Sequence, residues 1–244
     1  MIDIVIPVHE KDKNIALLCV DHIRRFCKDV KKIYIISKKK YIPDTEWIDE
    51  GLFPCSIADV RELIKHKKQA AWYWQQIIQF YLWDVKKLSN YIVFINSDVI
   101  LMRPIEFLRD GKAVHNYNYN KHEPYMRFNK KMLGKLTDRN KYGVVHYMVY
   151  SKKIMNEIVK KVELKHNMVF WKAFCNCITQ EHVNGASEFD MYFAYILTKH
   201  VDDIILKKLK YDDQGDVWNI DRYIKAGYDY IAFHKYLREA AGGN

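Results

Sequence analysis

The stretch Tyr91–Pro104, YIVFINSDVILMRP, decides how this chain is read. Its first five residues, Tyr91–Ile95, are all β-branched or aromatic, which is the composition of a buried strand. They run into the polar triplet Asn96-Ser97-Asp98, and a second apolar run, Val99–Met102, follows at once. Asn, Ser and Asp favour turns because their short side chains hydrogen-bond to nearby backbone. The alternative is a ligand-facing edge at the end of a central strand. A strand feeding an ordinary turn is normally followed by polar sequence, and here the chain stays apolar. We therefore read the triplet as a strand end rather than a turn.

Working outward, Ile2–Pro7 and Lys32–Ile36 read as strands, and Phe53–Ile57 as a third. Ile15–Cys27 and Gln69–Trp83 carry apolar residues at helical spacing. Strands alternating with helices in this way predict βαβ units and an α/β fold with a mixed, mostly parallel central sheet flanked by helices. In the second half, Ala113–Tyr117, Tyr142–Tyr150 and Tyr228–Phe233 are expected strands, with helices at Lys152–Val162 and Ser187–Thr198. No repeat or Pro/Gly/Ser linker interrupts the chain, so residues 1–244 are read as one domain, with 1–110 and 111–244 as functional halves.

The composition suits a globular protein: 49% of the 244 residues are hydrophobic, including 18 Tyr and 6 Trp. No apolar run reaches the roughly 18–20 residues of a membrane helix. The opening MIDIVIPV is a strand and not a secretory signal, which points to a cytoplasmic protein. Five scattered cysteines (Cys19, Cys27, Cys55, Cys175, Cys177) suit reduced thiols, and Cys175-Asn176-Cys177 lacks the companion ligands of a zinc site. The net charge of +10 lies in short clusters, among them Lys38-Lys39-Lys40, Lys65-His66-Lys67-Lys68 and Lys207-Lys208. Such clusters are solvated surface, or they draw an anionic partner: a nucleotide, a membrane surface touched peripherally, or nucleic acid.

Ligands of open α/β sheets bind at the carboxyl ends of the parallel strands. Three such ends are polar here: Pro7-Val8-His9-Glu10, Ser37-Lys38 and Asn96-Ser97-Asp98. Neither GxGxxG nor GxxxxGK[ST] occurs, so a dinucleotide fingerprint and a P-loop are both excluded. A nucleotide diphosphate can instead be held through Mg²⁺ or Mn²⁺ on hard oxygen ligands. Asp98 is the natural carboxylate for this, with the neutral amide of Asn96 as a weaker companion.

VIPVHEKD, FINSDVILMRP and the late AFHK together resemble GT-A-type glycosyltransferases. The likeness is strongest to the compact viral and bacterial group that includes the chlorella-virus rhamnosyltransferase domain, and it spans nearly the whole chain in the right order. It implies an Asp-x-Asp motif that ends a central strand and binds a metal gripping a nucleotide-sugar diphosphate. Asn96-Ser97-Asp98 occupies that position, with Asn96 departing from the pattern and Ser97 beside the donor. The resemblance makes His234 a metal ligand and lets Lys235 neutralise the β-phosphate. Pro7, Val8 and His9 match the turn lining the nucleoside, and Ser37 the strand end near the base.

Gln75 and Gln76 are odd in the apolar stretch Ala70–Trp83, because buried amides need partners. Gln76 is the candidate for the donor side. In Asn184–Leu197, Ser187 is a natural N-cap, and Glu188 and Asp190 fall in the first helical turn, where the dipole favours anions. That is a complete structural reason for both acids. The resemblance adds a second: an acceptor-side acid at a helix start, with Glu188 ahead of Asp190 as the general base. His146, alternating with apolar neighbours, is either a core histidine or a residue of the acceptor pocket. The resulting expectation is a metal-dependent transferase moving a sugar, UDP-linked, to a glycan or lipid-linked acceptor. The rivals are a basic nucleic-acid-binding module, for which no RNP-like, zinc-finger or helix-turn-helix signature is present, and a nucleotidyltransferase, whose Gly-rich loop after the first strand is missing.

Overall fold

A computed structural model describes residues 1–234. The first half of the chain forms β1 (Ile2–Pro7), α1 (Lys13–Phe26), β2 (Val30–Ser37), β3 (Glu46–Asp49), α2 (Ile57–Leu63), α3 (Ala70–Ile78), α4 (Leu82–Val85), β4 (Tyr91–Ile95) and β5 (Val99–Leu101). The second half forms β6 (Leu108–Arg109), β7 (Lys112–His115), α5 (Glu123–Leu133), β8 (Tyr147–Ser151), α6 (Lys152–His166), α7 (Phe170–Cys177), α8 (Glu188–Lys199), β9 (Ile204–Leu206), β10 (Tyr211–Asp212), α9 (Ile220–Lys225) and β11 (Tyr230–Ala232).

The main sheet has the order β3-β2-β1-β4-β8. β3, β2, β1 and β4 run parallel, and β8 joins the edge antiparallel to β4. The expected mixed, mostly parallel sheet is what the chain forms. Side chains leave each strand on alternate faces. Val5, Ile36, Phe94 and Tyr150 therefore pack into one core with α2, α3 and α5–α8. Ile4, Ile6, Ile35, Val93 and Ile95 pack into the other, under α1, β5 and β11. Helices thus cover both faces, which is why β4 reads as a continuous apolar run and β1 as one interrupted only by the buried Asp3. Phe94 is fully buried, and truncating it to Ala removes about 3–5 kcal/mol.

The strand order reverses between β1 and β4: the chain winds outward through β2 and β3, then returns to the other side of β1. A switch point of this kind leaves a crevice at the carboxyl ends of the two strands. The ends of β1 and β4, His9 and Asn96-Ser97-Asp98, flank it.

Several expected elements shift. Phe53–Ile57 is not a strand; the third strand is Glu46–Asp49, an edge strand with Ile48 as its buried residue. Phe53 and Cys55 are apolar because their loop packs beneath α3, where Trp74 Nε1 donates to Cys55 O at 2.7 Å. Ser56 and Asp59 then form a capping box that starts α2. The helix expected over Gln69–Trp83 breaks into α3, a 3₁₀ turn at Gln79–Tyr81, and α4. Tyr142–Tyr150 yields strand only from Tyr147, and α5 and α7 are additional helices. All five cysteines are buried, free thiols. Among the described residues no helix is long and apolar enough to cross a membrane.

Candidate functional site

Val99 N donates to Asn96 O at 3.2 Å, so residues 96–99 are a β-turn. The triplet is therefore both a turn and the end of a central strand, and the opposition drawn from the sequence does not hold. Val99–Leu101 stays apolar because it enters a second sheet, pairing antiparallel with β11, which also pairs with β10. The turn is pinned from three sides. Asn96 N donates to His146 O at 3.1 Å, Cys19 Sγ approaches Asn96 O at 3.9 Å, and Phe233 N donates to Asp98 O at 2.9 Å. The Cys19 thiol is held in its protonated form by burial and by the charge of Asp98.

Register then delivers the chain's late histidine. Ala232 pairs with Val99 across β5 and β11, which puts Phe233 opposite Asp98 and carries His234 to the carboxylate. His234 Nδ1 donates to Asp98 Oδ2 at 2.9 Å, across 136 positions of sequence. The His146 ring lies 5.0 Å from that of His234 and 5.8 Å from that of Tyr211. His146 is not part of a strand's alternation: its φ of +66° puts it in the left-handed region just before β8, at a cost of roughly 1 kcal/mol. Burial, and next the positive charge of His234, push its pKa down to about 4.

Among the described residues no group of three or more His, Cys, Asp and Glu side chains gathers to hold a metal ion. Asp98 and His234 nonetheless bring a hard oxygen and an imidazole nitrogen within 2.9 Å of each other. Two protein ligands suit Mg²⁺ or Mn²⁺ where phosphate oxygens and water complete the shell. The donor chemistry of the pair, a carboxylate oxygen and an imidazole, is of the kind such an ion takes.

The remaining candidates are placed differently. Val8 is buried, with its N–H bonded to Ile36 O at 2.9 Å. Pro7 ends β1, and exposed His9 caps the first turn, accepting from Lys11 N at 3.2 Å. Ser37 is buried and donates to Lys39 O at 2.6 Å, so its hydroxyl closes a turn. Lys235 lies outside the described residues.

A second polar cluster is built at the start of α8. Ser187 Oγ accepts from Asp190 N at 3.3 Å, capping the helix as its sequence predicts. Asp190 is enclosed: Arg139 binds it through two bonds of 2.8 and 2.5 Å, and Asn129 Nδ2 and Gly143 N donate at 2.9 and 3.1 Å. A Cβ at residue 143 would collide with Phe193 and with the Phe189 carbonyl, so only glycine brings that N–H so close. Glu188 is buried as well, and burial pushes its carboxyl up to about 7. Gln79 Nε2 donates to it at 2.6 Å, and Gln79 Oε1 accepts from Tyr150 OH at 2.7 Å. Gln76 joins this cluster rather than the triplet: its Oε1 accepts from Glu188 N at 3.2 Å, while its Nε2 has no hydrogen-bond partner among the described residues. Gln79 and Arg139 were missed from sequence. Gln79 stands three residues after Gln76 on the same helix face, and that spacing was the available signal. Arg139 carries no local pattern.

Two open clefts, of about 430 and 270 Å³, lie at the opposite, amino-terminal end of the strands, lined by Val30–Ile33 with Glu46 and by Lys86 with Lys152. They are remote from the polar strand ends.

The fold and its polar strand ends define an α/β protein with a candidate ligand site at the switch point of a mostly parallel sheet. The chain belongs to a family of unknown function (DUF6492), whose model matches residues 5–222. No curated protein matches the sequence. Among solved structures, it is similar to mouse xyloside xylosyltransferase 1 in its apo form, at 11% identity and a TM-score of 0.48, over 97% of this chain and 98% of that one.

Proposed function

We infer that the protein is a GT-A-type glycosyltransferase that moves a sugar from a nucleotide-diphosphate sugar, UDP-linked, to a hydroxyl of a glycan or lipid-linked acceptor. The observation that carries this reading is the Asp98–His234 pair, joined at 2.9 Å where β4 ends at the switch point. The Asp-x-Asp-like triplet and the late histidine of the resemblance are thus neighbours in space. Asp98 and His234, with Asn96 beside them, would hold Mn²⁺ or Mg²⁺. Such an ion supplies positive charge against the departing diphosphate.

The chain's own residues divide the remaining work. Val8 and His9 at the end of β1, and Ser97 in the turn, border the crevice that would take the nucleotide. His146, neutral at pH 7 and fixed by its left-handed backbone, would hydrogen-bond ligand hydroxyls without adding charge. Glu188, with a pKa near neutrality, is suited to accept the proton of the attacking hydroxyl. Asp190 braces α8 through Arg139 and positions Glu188 two residues away.

The test is a thermal-shift screen of nucleotide sugars with and without Mn²⁺, followed by donor hydrolysis. A metal-dependent rise in melting temperature with UDP or a UDP-sugar is expected, since a ligand binding only the folded state stabilises it. If no nucleotide sugar binds or is hydrolysed with Mn²⁺, the reading is wrong.

A further inference from the structure

Residues 115–120, HNYNYN, invert the usual pattern of a half-buried segment. Extended backbone sends successive side chains to opposite faces. Here the amides face inward: Asn116 and Asn118 are 2% and 8% exposed. Asn116 donates to Tyr230 OH at 2.9 Å and accepts from Leu209 N at 2.9 Å. Asn118 donates to Val144 O at 2.6 Å and to Tyr211 OH at 3.3 Å, and two backbone bonds of 2.9 and 3.0 Å bridge it to Tyr142. The segment is therefore tied down, with Tyr119 as its outward side chain and Tyr117 half-buried between the core and the surface. Tyr119 is 54% exposed, and its ring meets that of Tyr117 edge to face at 5.6 Å.

Two cations complete this rim. Lys208 Nζ sits 4.2 Å from the Tyr119 ring centre, carried there because Leu209 N is tied to Asn116. Lys141 Nζ sits 5.5 Å from the Tyr117 ring, carried there by the Asn118–Tyr142 bridge. Neither lysine forms an ion pair among the described residues. The rim adjoins the strand-end cluster, because Asn118 bonds the Tyr211 hydroxyl and the Tyr211 ring packs on His146.

We propose that Tyr117, Tyr119, Lys141 and Lys208 form an acceptor subsite for an acidic glycan, one carrying carboxylates or phosphates on its sugar rings. The exposed ring of Tyr119 is an amphipathic platform for the C–H face of a pyranose ring, and the phenols of both tyrosines offer hydrogen bonds to ring hydroxyls. The unpaired ammonium groups select for anionic substituents, so charge complementarity sets the class. This deepens the transferase reading and rests on it.

The experiment measures binding of a short oligogalacturonate, a neutral malto-oligosaccharide of equal length, and phosphatidylglycerol vesicles to the full chain by calorimetry and flotation. The oligogalacturonate is expected to bind, more weakly as salt rises, and the neutral sugar to bind at least about tenfold more weakly. Tyr119→Ala and the double charge reversal Lys141→Glu with Lys208→Glu should each weaken binding by about tenfold, with the melting temperature of Tyr119→Ala and of the single exposed variant Lys208→Glu unchanged. Equal binding of acidic and neutral sugars, unaltered binding by the double variant, or capture by vesicles alone would overturn the proposal. UDP with Mn²⁺ is tested on the same sample. A UDP shift without oligogalacturonate binding sinks the acidic acceptor alone. Oligogalacturonate binding without a UDP shift sinks the transferase and leaves an acidic-glycan site.

Discussion

At the end of β4, Asp98 sits in the 96–99 β-turn and meets a histidine from late in the chain; at the start of α8, Asp190 is enclosed by an arginine, an asparagine and a backbone amide. The Asp98 and His234 side chains retain 16% and 24% exposure, against 2% for Asp190 and 7% for Arg139. Both acids stand at positions where sequence suggests function, yet only the first is left within reach of a ligand. Glu188 lies between the two cases: buried, partnered by Gln79, but poised near neutrality. A carboxylate whose acceptors are filled by donors holds the fold. One that meets an imidazole at a strand edge and keeps 16% exposure stands where a ligand can approach it.

The comparison breaks most sharply at Arg139. Arg139→Ala leaves Asp190 buried and uncompensated, so chemical denaturation should show a loss of about 3–5 kcal/mol. Asp98→Ala should do the reverse, leaving the unfolding curve nearly unchanged. Measured as turnover with an identified donor, it should cost about 10²–10³-fold, the scale of one lost electrostatic contact to a developing charge.

Glu188 sharpens the contrast through pH. Its folded pKa is raised from 4.5 to about 7, so the protonated carboxyl favours the folded state. The stability it contributes is fully present below pH 4.5 and is lost as pH rises through about 7, a fall of ~3 kcal/mol. Glu188→Gln should remove that slope, and melting temperatures of the two proteins should diverge in the variant's favour between pH 5 and pH 8. The smallest expected effect is at His115, buried with neither ring nitrogen hydrogen-bonded among the described residues and its pKa pushed down to about 3 by burial. Because the unfolded chain binds the proton and the folded one does not, His115 costs stability as pH falls below 6.5. His115→Leu should flatten that acid limb and raise stability at pH 7 by about 1 kcal/mol.

The parts legible in sequence are those that local pattern dictates. β1 and β4 are readable to the residue because strands buried on both faces are apolar along nearly their whole length, Asp3 being the one exception in the two. The capped start of α8 was readable because Ser187 announces it. β3 was not, since an edge strand such as Glu46–Asp49 buries little and looks polar. Phe53 and Cys55 misled in the opposite sense, being apolar for a loop's packing against Trp74. In the site, the triplet and His234 were found, but the commitment of Asp190 was not, because Arg139 acts across 51 positions with no periodic trace. The left-handed backbone of His146 is likewise set by tertiary pairing, and strand alternation could not foresee it.

The pairing of Phe233 with Asp98 also bears on synthesis. The strands of the main sheet are all available once Ser151 has been made, and its cores can begin to close around them. The imidazole that meets Asp98 arrives only at residue 234. A product truncated shortly before that point keeps all five strands of the main sheet and lacks the imidazole of the strand-end pair. On the transferase reading, catalytic output therefore reports the integrity of the C-terminal end of this chain more stringently than solubility or secondary structure does.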